Sequence, residues 1–168
     1  MISTKRKHVY IYSPSSAIRD KSAFKRGVQR LTTLGYEVEV DEAALASYER
    51  FAGTDEIRIA AIHRACASRA DVALISRGGY GLTRILDNIN YDAVTQAIVR
   101  GTQFVGFSDF TAFQMALLAK TKAISWAGPA LGEDFGAVGG ADEIMESCFE
   151  DMVTGQGEGN GWRLPISS

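Results

Sequence analysis

The chain has 168 residues, a formal net charge of −2 and 23% charged residues, which is typical of one folded domain with a substantial apolar core. Its lysines and arginines are scattered, apart from a basic start at residues 5–7, so we expect no nucleic-acid partner. The first apolar run, residues 9–12, is too short for a secretion signal or a membrane span, so we expect a cytoplasmic protein without membrane contact.

Short apolar runs alternate with longer periodic segments, the pattern of parallel strands joined by helical crossovers. The pattern predicts an α/β fold: an open, mostly parallel sheet flanked by helices, in a three-layer arrangement of the Rossmann or flavodoxin type. Strands are predicted at residues 9–12, 36–40, 71–75 and 123–126, and in the apolar run before Ser108. Helices are predicted at about 20–34, 55–69, 82–86, 91–99 and 141–153, and after Ser108, whereas 131–140 reads as a glycine-rich loop.

The serine at position 108 stands between a predicted strand and a predicted helix, within residues 103–119. A serine at such a turn is how α/β hydrolases expose a nucleophile, and the first amides of the helix can stabilise an oxyanion beside it. Gly106 supplies the first glycine of the G-x-S-x-G pattern, but Phe110 stands where the second would be. The alternative is that Ser108 only caps the helix, with Asp109 complementing the helix dipole.

A glycine-rich stretch, Arg77-Gly78-Gly79-Tyr80-Gly81, follows the third predicted strand. Its glycines permit a close approach of a ligand to the backbone, although a simple turn would have the same composition. A dinucleotide-binding fingerprint is disfavoured, because its third glycine would fall at Arg84. The Ser13-Pro14-Ser15-Ser16 turn after the first strand likewise offers hydroxyls at the carboxyl edge of the sheet, or only a turn and a cap.

Three separated motifs together resemble those of the LD-carboxypeptidase (muramoyltetrapeptide carboxypeptidase) family. They are Phe51-Ala52-Gly53-Thr54, the glycine-rich stretch Arg77-Gly78-Gly79-Tyr80-Gly81, and Gly106-Phe107-Ser108-Asp109-Phe110-Thr111 around the serine. The resemblance extends from the first strand to Trp126-Ala127-Gly128-Pro129. It implies a serine peptidase that needs no metal or other cofactor. Such an enzyme removes the terminal D-alanine of murein tetrapeptide by cutting an L,D bond, during cell-wall recycling in the cytoplasm.

The family motif implies that Ser108 is the nucleophile and that the amide of Asp109 supplies half of the oxyanion hole. The glycine-rich motif implies that the Gly79 amide supplies the other half. We expect the substrate to contact the sheet edge at Ser13, Ser15, Arg77, Gly78 and Tyr80.

The family's triad is Ser-Glu-His, and its glutamate and histidine come from a C-terminal domain. His8 and His63 are the two histidines of this chain, and neither is expected to act as the base. We therefore expect an N-terminal domain at residues 1–154, a connection at 155–168 and an absent C-terminal domain. The domain alone should be inactive, and its uncovered apolar face should favour a homodimer.

Two other functions stay open at this point. Some family members hydrolyse antibiotic peptide–nucleotide conjugates for self-immunity. Alternatively, an α/β domain without a catalytic base could serve as a binding module for a murein peptide.

Overall fold

The computed structural model describes residues 6–156, which form a sheet of five parallel strands. The strands are β1 (His8–Tyr12), β2 (Glu37–Val40), β3 (Val72–Ile75), β4 (Gln103–Gly106) and β5 (Trp126–Ala127). Their order is β2-β1-β3-β4-β5, and each neighbouring pair is parallel. The predicted α/β fold of the flavodoxin type is thereby confirmed.

In the described part of the chain, six α-helices connect and cover these strands. They are α1 (Lys21–Thr33), α2 (Asp55–Ala67), α3 (Leu82–Ile85), α4 (Tyr91–Val99), α5 (Phe110–Thr121) and α6 (Glu143–Thr154). Side chains at the helix starts accept hydrogen bonds from otherwise unpaired amides: Asp20 from Ser22 and Ala23, and Thr54 from Ile57. Within residues 6–156, none of the helices has the length and apolar character that crossing a bilayer requires.

The sheet lies between two layers of helices, because alternate side chains of its strands point to opposite faces. Tyr10, Tyr12 and Phe104 pack with residues of α2 to α5 in one apolar cluster. Val9, Ile11 and Leu74 pack with α1 and α6 in the other. The domain therefore has three layers, in which helices cover both faces of the sheet and bury its central strands.

The segment predicted as a glycine-rich loop contains a π-helical turn, Leu131–Phe135, so that part of the prediction is wrong. The Gly136 amide donates to the Leu131 carbonyl at 2.7 Å, and the Asp134 carboxylate accepts from the Ala130 amide at 2.8 Å. A β-carbon on Gly27 of α1 would lie 2.7 Å from the Leu131 carbonyl oxygen. The lack of a side chain at Gly27 lets this turn pack closely against α1, and the turn therefore has a defined structure.

The strand order reverses between β1 and β3, since the chain passes from β1 outward to β2 and then returns to the other side of β1. Ligands of open α/β sheets bind at such a point, beyond the carboxyl ends of the strands. Here β1 leads into the Ser13–Ser16 turn, β3 leads into the glycine-rich stretch, and the neighbouring β4 leads into Ser108.

The predicted connection at 155–168 falls, from residue 157 onward, outside the described residues.

Candidate active site

Ser108 lies in a sharp turn between the end of β4 and the start of α5. Its φ is 63°, a left-handed conformation that is costly for a residue other than glycine, and its side chain is exposed. Strain of this kind is concentrated at functional sites. The N-cap position of α5 is occupied by Asp109 without a side-chain capping bond. The Ser108 hydroxyl therefore does not cap the helix, and it projects toward the sheet edge.

Two glycines allow the chain to pass close to this turn. A β-carbon on Gly106 would lie 2.7 Å from Ile75 Cδ1 and 2.8 Å from Phe110 Cδ1, so only glycine lets α5 turn back over β3. A β-carbon on Gly78 would lie 2.7 Å from Ser108 Cβ and 2.9 Å from Ser108 Oγ. The glycine-rich stretch is thus in direct contact with the serine, and the fold brings these two predicted motifs together.

The backbone conformation at Gly79 depends on Ser16, a residue that was not among the predicted site residues. Gly79 has a φ of 113°, and a β-carbon there would collide with the Ser16 hydroxyl. That hydroxyl accepts a hydrogen bond from the Tyr80 amide at 2.9 Å, and the Ser16 amide donates to the Gly78 carbonyl at 3.4 Å. Ser16 therefore fixes the path of the glycine-rich stretch next to Ser108.

The amides of Gly79 and Asp109, the predicted oxyanion donors, are both open. Among residues 6–156, neither amide has a hydrogen-bond acceptor in the protein. Backbone donors that are buried or half-buried are almost always paired in folded proteins. Two unpaired amides next to an exposed serine can therefore donate hydrogen bonds to a negative charge that develops there.

Arg58 of α2 is fully buried and joins the loops around the site. Its Nη1 donates to the carbonyls of Pro14 at 3.2 Å and Gly81 at 2.9 Å, and its Nη2 donates to Asp55 Oδ1 at 2.5 Å. Its guanidinium carbon also lies 4.9 Å from the centroid of the Phe51 ring. Arg58 was not among the predicted site residues, although a sequence signal exists: an arginine on the apolar stripe of α2, three and four residues before Ala61 and Ile62.

The residues predicted to bind substrate differ in how accessible they are. Ser13 is buried, and its hydroxyl lies 2.6 Å from both the Ala44 carbonyl and the Ser76 hydroxyl. Ser15 is also fully buried, and its hydroxyl has no partner within the described part of the chain. Tyr80, by contrast, is 64% exposed at the rim of the site. The geometry gives Ser13 a structural position and buries Ser15 and Gly78, so of these residues Tyr80 is the one open to a ligand.

Arg77 is half-buried and faces the layer that contains α1 and the π-helical turn. Its Nη1 donates to the Ala17 carbonyl at 3.4 Å, and its Nε lies 3.6 Å from Glu133 Oε1. Burial raises the pKa of the Glu133 carboxyl, and the charge of Arg77 partly opposes that rise. This pair supports the glycine-rich stretch from the side opposite to α2.

Both histidines are engaged away from Ser108. His63 Nε2 accepts a hydrogen bond from the Asn90 amide at 3.1 Å, and His8 Nε2 lies 3.0 Å from Glu39 Oε2 at the amino end of β1. Within residues 6–156, the Ser108 hydroxyl has no hydrogen-bond partner, and neither histidine contacts it.

An apolar groove of about 820 Å³ begins beside the serine and follows the β5 side of the sheet. It is lined by residues of the β4–α5 turn, β5 and α6, including Phe107, Trp126, Met145, Phe149 and Met152. Phe107 and Trp126 are 40% and 44% exposed, a large exposure for aromatic side chains that line the same groove. Gly155, where the chain leaves α6, lies at the same groove.

Residues 9–128 match the family described as LD-carboxypeptidase N-terminal domain. A solved muramoyltetrapeptide carboxypeptidase from Oxalobacter formigenes is 32% identical with a TM-score of 0.75, over 87% of this chain and 47% of that chain. A MccF-like protein from Bacillus anthracis is 25% identical with a TM-score of 0.80, over 89% and 45%.

The microcin C7 self-immunity protein MccF, solved with aspartyl sulfamoyl adenosine, is 24% identical with a TM-score of 0.81, over 95% of this chain and 48% of that chain. At this identity the likeness concerns the fold alone. A curated relative from Synechocystis sp. is 29% identical over 154 residues, which are 91% of this chain and 50% of the relative. The chain thus spans about half the length of the proteins that it matches.

Proposed function

Since the chain belongs to the LD-carboxypeptidase family, we propose that it is the part of a serine peptidase that carries the nucleophile, Ser108. The proposed reaction releases the terminal D-alanine of murein tetrapeptide by hydrolysis of an L,D peptide bond, in cytoplasmic recycling of the cell wall. One observation carries the proposal: an exposed serine in a left-handed strand-to-helix turn, in contact with Gly78.

In the proposed mechanism, Ser108 Oγ attacks the carbonyl carbon of the L,D bond while a general base takes its proton. The amides of Gly79 and Asp109 stabilise the oxyanion of the tetrahedral intermediate, which both can do because neither has an acceptor among the described residues. Collapse of the intermediate breaks the C–N bond, and the protonated base gives its proton to the leaving D-alanine amine. Water then hydrolyses the acyl-serine by the reverse roles.

We propose that the base, a histidine oriented by a glutamate, comes from a C-terminal domain of the native protein. Two observations support this: His8 and His63 are held elsewhere, and the relatives are about twice as long as this chain. The apolar groove extends from Phe107, next to Ser108, to Gly155, where the chain leaves α6, and it offers such a domain a surface to pack against. Without that domain, the 168-residue chain should be inactive or nearly so, and the open groove should favour a homodimer.

The test compares tetrapeptide hydrolysis by the full-length native product and by the 168-residue chain, with the mass of the native product measured first. We expect D-alanine release by the longer form, its loss in Ser108→Ala, and full activity in Ser22→Ala, an exposed serine of α1. Turnover by the 168-residue chain that depends on Ser108 would contradict the need for a second domain. Sedimentation of that chain as a monomer would contradict the homodimer.

Two other outcomes would replace the proposal. Cleavage of a peptide–nucleotide conjugate in preference to tetrapeptide would indicate a self-immunity hydrolase, a possibility raised by the fold shared with MccF. Calorimetric binding of tetrapeptide by a native product of 168 residues, without turnover, would indicate a murein-peptide-binding module.

A further inference from the structure

The side chain of Asp109 joins the nucleophile turn to the glycine-rich stretch. Its Oδ2 accepts a hydrogen bond from the Leu82 amide at 3.0 Å, although the two residues are 27 positions apart. Leu82 is the first residue of α3, and the residue before it, Gly81, has no side chain that could cap this helix. The carboxylate of Asp109 therefore caps α3 from outside it.

The peptide unit between Gly81 and Leu82 is held from two directions. Its carbonyl, on Gly81, accepts from Nη1 of the buried Arg58 at 2.9 Å, and its N–H, on Leu82, donates to Asp109. Because the carbonyl and the N–H of a trans peptide point in opposite directions, the two bonds together fix the orientation of the peptide plane. Arg58 anchors this plane to α2, and Asp109 anchors it to the start of α5.

We propose that the carboxylate of Asp109 is a positioning residue for the oxyanion site. Its bond to Leu82 sets the separation between the Gly79 amide, three residues before Leu82, and the amide of Asp109 itself. This inference rests on the proposed role of Ser108 as nucleophile. It adds a function for the Asp109 side chain to the one proposed for its backbone amide.

The expected kinetic effect lies on kcat, because oxyanion donors act on charge that develops in the transition state. In the full-length product, Asp109→Ala should lower kcat about 10- to 100-fold with little change in KM. Asp109→Asn should recover most of that loss, because its amide oxygen can still accept from Leu82. Asp87→Ala, at a fully exposed carboxylate, serves as the control and should leave both constants unchanged.

A second measurement does not depend on activity. In the 168-residue chain, hydrogen exchange of the Leu82 amide should be faster in Asp109→Ala than in wild type and close to wild type in Asp109→Asn. Unchanged Leu82 exchange in Asp109→Ala, or equal kcat values for the alanine and asparagine variants, would overturn the positioning role alone. Full turnover by Ser108→Ala would overturn it together with the proposed function.

Discussion

Gly78 faces Ser108 so closely that a β-carbon on residue 78 would lie 2.7 Å from Ser108 Cβ and 2.9 Å from its Oγ. Gly78 does not have a φ in the left-handed range, unlike Gly79 and Gly81, so its backbone can accommodate another residue. The requirement for glycine at position 78 is therefore a matter of space beside the serine.

We expect Gly78→Ala to displace Ser108 and to lower D-alanine release by the full-length product about 100-fold, because small misplacements of a nucleophile are costly. The free energy of unfolding should fall by about 1–3 kcal/mol from overpacking. Denaturant unfolding and steady-state kinetics measure the two effects. Adding Ser108→Gly removes the side chain that the new methyl group meets, so stability should return in the double variant while activity stays lost. A double variant as unstable as Gly78→Ala would place the conflict elsewhere.

The left-handed conformation of Ser108 should lower the stability of the domain. We expect Ser108→Gly to raise the free energy of unfolding by about 1 kcal/mol, since glycine adopts this conformation without steric cost, and to abolish hydrolysis. Lys122, at the end of α5, has the same φ of 63° and provides the matched control. Lys122→Gly should give a similar gain in stability with hydrolysis by the full-length product unchanged. A loss of stability in Ser108→Gly would contradict the strain.

The strand-to-helix turn with Ser108 was predictable because the signals are local: a short apolar run, a glycine and the start of an amphipathic segment. The same holds for α4, observed at the predicted residues Tyr91–Val99. The contacts of the Ser13–Ser16 turn were not predictable in the same way. Past the end of a strand the alternation of side chains is lost, and the fold directs Ser16, not Ser13, toward Gly79.

Other parts of the site depend on tertiary contacts that no sequence window contains. An arginine on a helix is normally assigned to the surface, whereas Arg58 is buried because two loops and Asp55 of its own helix present oxygen atoms to its guanidinium. Glycines around residues 131–140 indicated a loop, whereas the glycine at position 136 permits close contact with α1, where a β-carbon would collide with the Ala23 carbonyl. The sequence pattern therefore predicted the elements better than the contacts between their ends.

Replacing Arg58 tests how strongly it holds these loops. Arg58→Met should lower the free energy of unfolding by about 3 kcal/mol, because the buried carbonyl of Pro14 and the partly buried carbonyl of Gly81 lose their donor. Asp55 keeps a partner, since Arg84 Nε lies 3.0 Å from its Oδ2. Arg84→Met is the control: its side chain is 63% exposed, and the loss should stay below about 1 kcal/mol. Equal losses in urea unfolding of the two variants would contradict the role of Arg58.

Acid should weaken the domain through Asp41, whose side chain is fully buried. Burial by itself raises the pKa of this carboxyl, but hydrogen bonds from Arg64, Tyr10 and the Ala43 amide outweigh it and hold the pKa below its ordinary value of 3.8. A carboxyl with a lowered pKa in the folded state stabilises the fold at pH values above its unfolded pKa. That stabilisation is lost as the pH falls through the folded pKa.

We therefore expect the free energy of unfolding to fall as the pH is lowered below about 4, as measured by urea unfolding at several pH values. Asp41→Asn should be less stable at neutral pH, because Arg64 loses a charged partner, and its stability should depend less on pH in the acid range. Asp87→Asn, at a carboxylate that is 99% exposed, should give a curve parallel to wild type. A parallel curve for Asp41→Asn would assign the acid sensitivity to other carboxyls.

The two cysteines provide a native probe of the groove. Cys66 is buried and its pKa is raised to about 12 by that burial, partly opposed by the charge of Arg100, so it should not react with thiol reagents in the folded protein. Cys148 is exposed and lines the groove, so one thiol of the 168-residue chain should react rapidly at pH about 8, and both after unfolding in guanidinium.

If a C-terminal domain packs against this groove in the full-length product, the rapid reaction should slow by about 10-fold or more, because labelling then requires the domain to open. The comparison is made by following thiol labelling in both forms under identical conditions, and Cys148→Ser identifies the rapid phase by removing it. Equal rates in the two forms would mean that the groove next to Phe107 stays open, and the proposed base of a C-terminal domain would then have to reach Ser108 from the Tyr80 side of the sheet edge.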